Sequence, residues 1–402
     1  MFHGTPTFYL PDSLMQNGDN DPFELDAMIA LRRDLHAHPE LGFEEVRTSG
    51  IVADLLAEAG IEVHRGLGKT GVVGTLKVGD GTRSIGLRAD MDALAMPELA
   101  ERDYASATPN TMHACGHDGH TVMLLAAARH LARTRNFSGT VHFIFQPAEE
   151  GRGGAKAMVE DGLFQQFPMD AAYGLHNMPG LATNEMAVVV GPQLASSDSW
   201  EVSFTGVGTH GAKPHLGRDA VTAAGQFLMA IHTIVARRVD PLQPAVVSAC
   251  AITGGDFNAL NVIPDTVRIG GTARAYTPEV RDQLEAEIGQ LARGVAATFG
   301  IAVDYHFKRR IPPVVNHPDA TRRALAAAQA VTGNPVVTDF PPSTAGDDFA
   351  FFGAKVPGAY VWLGNGPAVD GALHHNSRYD FNDDAIVTGA RYWTTLVEQE
   401  LR

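Results

Sequence analysis

Cysteine is scarce: among 402 residues only Cys115 and Cys250 occur, far apart in the chain. A disulfide framework is therefore not expected, and the thiols must be explained individually. Basic residues are also in short supply. Lys plus Arg is 31 against 46 Asp plus Glu, a formal net charge of −15, which argues against nucleic-acid binding, where a basic face is the rule. No apolar run has membrane length, and residues 1–22, with scattered Pro, Gly, Asn and Asp, lack a basic start followed by an apolar core. They are expected to form a loose N-terminal arm, and a cytoplasmic address follows by default. Internal repeats and low-complexity tracts are absent as well.

What remains is a glycine-rich chain, 45% hydrophobic with 42 glycines, long enough for two or three domains at roughly 150 residues each. Its densest stretch is Met112-His113-Ala114-Cys115-Gly116-His117-Asp118-Gly119-His120. Three imidazoles, a thiol and a carboxylate precede an apolar run, Thr121 to Leu131, that reads as a buried helix. Such side chains are metal ligands of soft and borderline type. A lone Cys-x-His is more often a core cysteine beside a histidine; matching residues recurring at strand ends argue otherwise.

Those recurrences are ordered along the chain. Helices are expected over Phe23 to His38 and Phe43 to Ala59, stopped by Pro39 and Gly60. Short strands then follow at Ile61 to His64, Val72 to Lys77 and Ser84 to Arg88, the last leading into Asp90-Met91-Asp92. Strand Thr140 to Phe145 runs into Glu149-Glu150, strand Ala171 to Leu175 into His176, and strand Tyr360 to Leu363 into His374-His375. Open α/β sheets put their chemistry at such carboxyl ends. Adjacent glutamates point different ways, so one can bind metal while its neighbour serves as a base.

Between these halves the texture changes. Strands at Trp200 to Thr205, Val246 to Ala251, Thr266 to Tyr276 and Ile301 to Phe307, with helices at Asp219 to Arg237 and Pro278 to Phe299, read as a ferredoxin-like split βαβ insertion. The expected organisation is an arm (1–22), the first part of an α/β catalytic domain with a central mixed sheet flanked by helices (23–193), an inserted α+β domain (194–309), and the second part of the catalytic domain (310–402).

The runs His36–Glu45, Arg88–Leu94, Met112–His120, Gln146–Gly151, Gly174–Asn177 and Tyr379–Asp383 together resemble the hippurate hydrolase and indole-acetyl-amino-acid hydrolase branch of the aminoacylase and carboxypeptidase superfamily of dinuclear metallohydrolases. The resemblance runs from about Leu25 to the C-terminus. It implies that Cys115, His117, Glu150, His176 and His375 bind two divalent metals (Zn, Mn, Ni or Co), that Glu149 is the general base, and that Asp90 and Asp92 orient the ligands. His375 is preferred to His374 because the family places its histidine four residues before the tyrosine matching Tyr379. The insertion resembles the family's lid and dimerisation domain. His210 matches a histidine that reaches the substrate carbonyl across a dimer, and Asn261 and Arg274 match residues that hold the substrate carboxylate. One departure is Ala95-Met96-Pro97, where many relatives have proline directly after leucine.

The resemblance implies hydrolysis of the amide of a small N-acyl amino acid by a homodimer or higher homo-oligomer, without nucleic-acid or membrane partners. A dipeptidase or carboxypeptidase using the same centre is the alternative. A non-catalytic metal-dependent binding protein would lack a base or a ligand, and none is missing.

Overall fold

The computed structural model describes residues 21–368 and 371–402. In chain order its main elements are α1 (Leu25–Ala37), α2 (Val46–Glu58), β1 (Glu62–Leu67), β2 (Gly71–Val78), β3 (Ser84–Asp90), α3 (His117–Thr134), β4 (Gly139–Gln146), β5 (Ala171–Met178) and β6 (Met186–Ala187). They continue with β7 (Ser197–Thr205), α4 (Ala220–Ile231), β8 (Ala245–Thr253), β9 (Thr266–Ala275), α5 (Pro278–Phe299), β10 (Ala302–Ile311), α6 (Pro318–Val331), β11 (Gly358–Gly364) and α7 (Ile386–Glu400). Of the arm expected over 1–22, all but Asp21 and Pro22 lies outside the described residues.

The chain forms two compact units. The first closes its initial stretch at Gly191 and takes in Asn316–Pro341 and Asp348–Arg402; the second comprises Pro192–Val315 and Pro342–Asp347. The first contains a seven-stranded mixed sheet in the order β1-β2-β4-β3-β5-β11-β6. Its central strands β4, β3, β5 and β11 are parallel, whereas β1, β2 and β6 join antiparallel. Parallel strands covered on both faces need near-continuous apolar sequence, and β3, β5 and β11 are buried along almost their whole length. Because they are parallel, Asp90, Gln146, Met178 and Gly364 end at one edge of the sheet.

Helix α3 is buried nearly all round through its first fifteen residues and packs against α1, α2, α7 and β3. Val122, Met123, Leu124 and Leu125 are inaccessible to solvent, and each contributes roughly 1.5–3 kcal/mol of burial. The helix begins at His117, four residues before the expected Thr121, because Gly116 enters it from the left-handed region at φ 89°. The histidine motif is thereby split between a loop and a helix N-terminus. Helix α2 likewise starts at Val46 and not at Phe43, whose own φ is 67° and which cannot belong to a right-handed turn.

The second unit holds a four-stranded antiparallel sheet in the order β8-β9-β7-β10. This is the second, third, first and fourth strand in sequence, the ferredoxin-like arrangement, with α4 and α5 as its crossovers. Its core is built from Trp200, Val202, Phe204, Phe227, Ile269, Leu284 and Ile288. The helix expected over Asp219 to Arg237 is two, α4 and a short helix from Thr233 to Arg237, and Asp219 caps the first by accepting the Val221 and Thr222 amides. Among the described residues no helix is long and apolar enough to cross a membrane.

Candidate metal centre

The parallel strands deliver side chains of one chemistry to one edge. Cys115 lies in the loop before α3 and His117 is the first residue of that helix; His176 is inside the last turn of pleat of β5, and Glu149 and Glu150 follow β4. Ligand atoms of Cys115, His117 and His176 lie within 4.8 Å of one another, as do those of Cys115, Glu150 and His375, and those of His117, Glu149 and Glu150. Cys115, His117 and Glu150 each belong to two of these groups, so the donors form overlapping sets and not one isolated cluster. All five residues matched to metal ligands in the family are brought together.

His375, not His374, joins them. Its backbone amide donates to the Ala114 carbonyl at 2.8 Å, its φ is 61°, and its Nε2 lies 3.2 Å from Glu150 Oε1. The neighbouring Cys115 and Glu150 push its pKa up to about 10. His374 turns instead toward Asn177 Nδ2, 3.2 Å from its Nε2, with its ring 4.9 Å from that of His176.

The donor set fits divalent cations on the protein's own terms. Both ring nitrogens of His117 are buried without a hydrogen bond; Asp92 Oδ1 stands 3.3 Å from Nδ1 and Asp90 Oδ2 3.7 Å from Nε2, neither in bonding geometry. Buried orphan nitrogens are costly unless something satisfies them. His176 Nδ1 donates to the Asn177 carbonyl at 2.7 Å, leaving Nε2 as a lone pair 3.5 Å from Cys115 Sγ, the tautomer that a metal ligand needs. Burial and the nearby Glu150 push the Cys115 thiol up.

The surrounding shell locks this geometry. Asp92 accepts the backbone amides of Glu149 at 3.0 Å and of Glu150 at 2.9 Å, so one carboxylate fixes both glutamates while approaching His117. Asp90, wholly buried, meets Arg88 Nη1 at 2.7 Å and His120 Nδ1 at 2.6 Å. Against the cost of burial, the charges of Arg88 and His117 hold its carboxyl well below the usual range.

Two residues without an assigned role emerge here. His120 accepts the Asn177 backbone amide at Nε2 (3.0 Å) and donates from Nδ1 to Asp90, so one nitrogen holds the end of β5 and the other the end of β3. Asn177 in turn donates its side-chain amide to the Tyr379 hydroxyl. Gly116 is required beside them, since a Cβ would come within 2.5 Å of Asn177 Oδ1 and 2.7 Å of Tyr379 Oη. The i, i+3 spacing of His117 and His120 on α3 was the available signal: it puts both on one helix face.

The second unit carries the remaining candidates. His210 pairs with Val262 in a two-stranded antiparallel ladder, and the Asn261 carbonyl accepts the Gly211 amide at 2.7 Å, so His210 and Asn261 are close neighbours. Both are exposed. Arg274 stands elsewhere, on β9 opposite Val246, half-buried and donating to the Ala273 carbonyl at 2.9 Å.

Comparisons with known proteins agree with this architecture. The chain is 41% identical over 373 residues to the hippurate hydrolase of Campylobacter jejuni, covering 92% of this chain and 96% of that protein. It is 36% identical over 386 residues to the N-acetyl-L-cysteine deacetylase of Bacillus subtilis, covering 95% and 91%. The crystal structure of a dinuclear metal binding peptidase of Bacillus subtilis superposes with a TM-score of 0.82 at 33% identity, over 94% of this chain and 98% of that one. The sequence profile of peptidase family M20/M25/M40 matches residues 86–399, and the chain belongs to that family.

Proposed function

We propose that this protein is a metal-dependent amidohydrolase that cleaves N-acyl amino acids at a dinuclear centre held by Cys115, His117, Glu150, His176 and His375. The observation that carries the reading is the convergence of these five side chains, with Glu149 beside them, from segments separated by some two-thirds of the chain. The names of the relatives, a hippurate hydrolase and an N-acetylcysteine deacetylase, supply the substrate class. Held by these five residues, a cation pair would supply Lewis acidity toward the acyl carbonyl and would lower the pKa of water. Thiolate with imidazole and carboxylate suits Zn, and Mn, Co or Ni fit the same donors.

Glu149 takes the proton of the attacking water as oxygen bonds to the acyl carbon, then passes it to the amine as the C–N bond breaks. Asp92 serves this step by holding the Glu149 amide. In the second unit His210 stabilises the developing oxyanion, and Asn261 and Arg274 bind the α-carboxylate, which distinguishes an acyl amino acid from a plain amide. If His210 acts on a partner's substrate, the working species is at least a dimer. Phe257 and Leu260, 95% and 81% exposed beside that ladder, suit a partner contact. A cytoplasmic, reducing setting keeps Cys115 available as a ligand.

The test is Glu149→Gln in metal-replete protein, assayed with N-acetyl and N-benzoyl amino acids. Turnover should fall about 10²- to 10⁴-fold with metal content unchanged; retained turnover removes Glu149 from its role. The same panel extended to dipeptides separates this reading from a dipeptidase or carboxypeptidase: hydrolysis of dipeptides in preference to N-acyl amino acids favours the latter. Sedimentation of a fully active monomer would contradict the dimer.

A further inference from the structure

The turn that presents Glu149 has a costly backbone. Ala148, just before it, has φ 54°, a left-handed conformation that L-residues with a side chain avoid. Gly151 at 74° and Gly153 at 82° take the same region as glycines and do so without strain. Something must therefore hold Ala148.

Glu45 is placed to do this. Its side chain is fully buried, Oε1 accepts the Ala148 amide at 2.8 Å, and Oε2 accepts the Thr70 hydroxyl at 2.6 Å. A second contact comes from the same segment. A Cβ on Gly42 would fall 2.9 Å from both Cα and Cβ of Ala148, and the Gly42 carbonyl accepts Arg152 Nη1 at 2.8 Å. The segment from Gly42 to Glu45 thus lies directly on the turn. With Asp92 accepting the two amides that follow, three consecutive N–H groups, those of Ala148, Glu149 and Glu150, end on two buried carboxylates.

We propose that Glu45 is a positioning residue for proton transfer: by binding the Ala148 amide it keeps the left-handed turn closed, so that Glu149 is aimed at the reacting water without Glu45 touching substrate. The proposal rests on the reading of Glu149 as the base. A merely structural carboxylate would contribute to folding and leave the chemistry of folded protein alone; a positioning one shows itself in kcat.

The experiment uses full-length, metal-replete protein with N-acetyl and N-benzoyl amino acids, following kcat, KM, metal content and thermal unfolding. Glu45→Ala should lower kcat about ten- to a hundredfold, the cost of misplacing a reacting group by about an ångström, with KM and bound metal little changed. Glu45→Gln, which keeps an oxygen for the Ala148 amide, should stay close to wild type. Adding Ala148→Gly to Glu45→Ala should restore most of the loss, because glycine takes φ 54° unaided. Wild-type kcat in Glu45→Ala, or a loss that follows metal content and is not restored by Ala148→Gly, overturns the proposal. If Glu45→Ala does not fold, Gly42→Ala decides: it presses on the same turn and should lower kcat with metal retained, and full kcat there counts against the idea. Glu149→Gln run alongside separates the two failures. If it stays active the base assignment falls, and the proposal with it; if it is dead while Glu45→Ala is fully active, only the proposal falls.

Discussion

His176 in the first unit and His210 in the second are held in opposite ways. In the first, His176 is buried, its Nδ1 committed to the Asn177 carbonyl, and Asn177 in turn tied to His120 and Tyr379. In the second, His210 is exposed on a two-residue strand, its Nδ1 accepting the Ala212 amide at 3.0 Å. A preorganised centre needs every first contact backed by another, because a looser shell misplaces the ligand. A residue that meets substrate only on binding needs access more than rigidity. The contrast predicts that changes in the first unit alter metal binding and stability, whereas changes around His210 alter turnover alone.

The largest effect expected from that contrast is at His210. His210→Ala should cut kcat by about 10²- to 10³-fold, as loss of an oxyanion donor does, with metal content and unfolding temperature as in wild type; lost metal in this variant would erase the distinction between the units. A smaller loss, of a different kind, is expected at His120. His120→Ala removes the support of Asp90 and of the end of β5 and should weaken metal affinity about 10- to 100-fold, measured by competition with a chromogenic chelator. Unchanged affinity would show that the buried shell is not what holds the ligands.

The smallest effect concerns pH. His36 on α1 faces Asp118 at 2.8 Å and Glu98 at 3.3 Å, with Arg32, Tyr104 and His113 around it. Burial opposes its charge, but the two carboxylates and their hydrogen bonds prevail, and its pKa is raised to about 9. A histidine raised in the folded state contributes stability that is complete below its unfolded pKa of about 6.5 and lost as pH rises through the folded value. The stability difference between wild type and His36→Gln, on the order of 1–3 kcal/mol at pH 6, should therefore shrink between about pH 6.5 and 9. A difference that stays constant over that range would mean that His36 is held as a neutral ring.

The ligand types, their order and their positions at strand ends were legible in the sequence, because apolar runs ending in His, Glu or Asp report a buried parallel strand and its carboxyl edge. Less legible were the places where backbone conformation overrides pattern. The start of α3 at His117 depends on Gly116 at φ 89°, and the start of α2 at Val46 on Phe43 at φ 67°; neither angle follows from residue type alone. His374 and His375 were separable only by resemblance, since adjacent residues on an irregular loop carry no periodicity. The structure separates them through the His375 amide on Ala114.

His120, Asn177 and Glu45 mark the limit more sharply. Each is a common polar residue inside a recognised run, and its weight comes from partners 30 to 202 residues away. Sequence by itself indicated, through hydrophobic pattern, ligand chemistry and family resemblance, which side chains are candidates to bind metal, because residue type and the order of motifs along the chain need no third dimension. Only the tertiary structure decided which buried carboxylate meets which amide, since a hydrogen bond is fixed by three-dimensional distance and direction and these chains of contact join segments that no local rule connects.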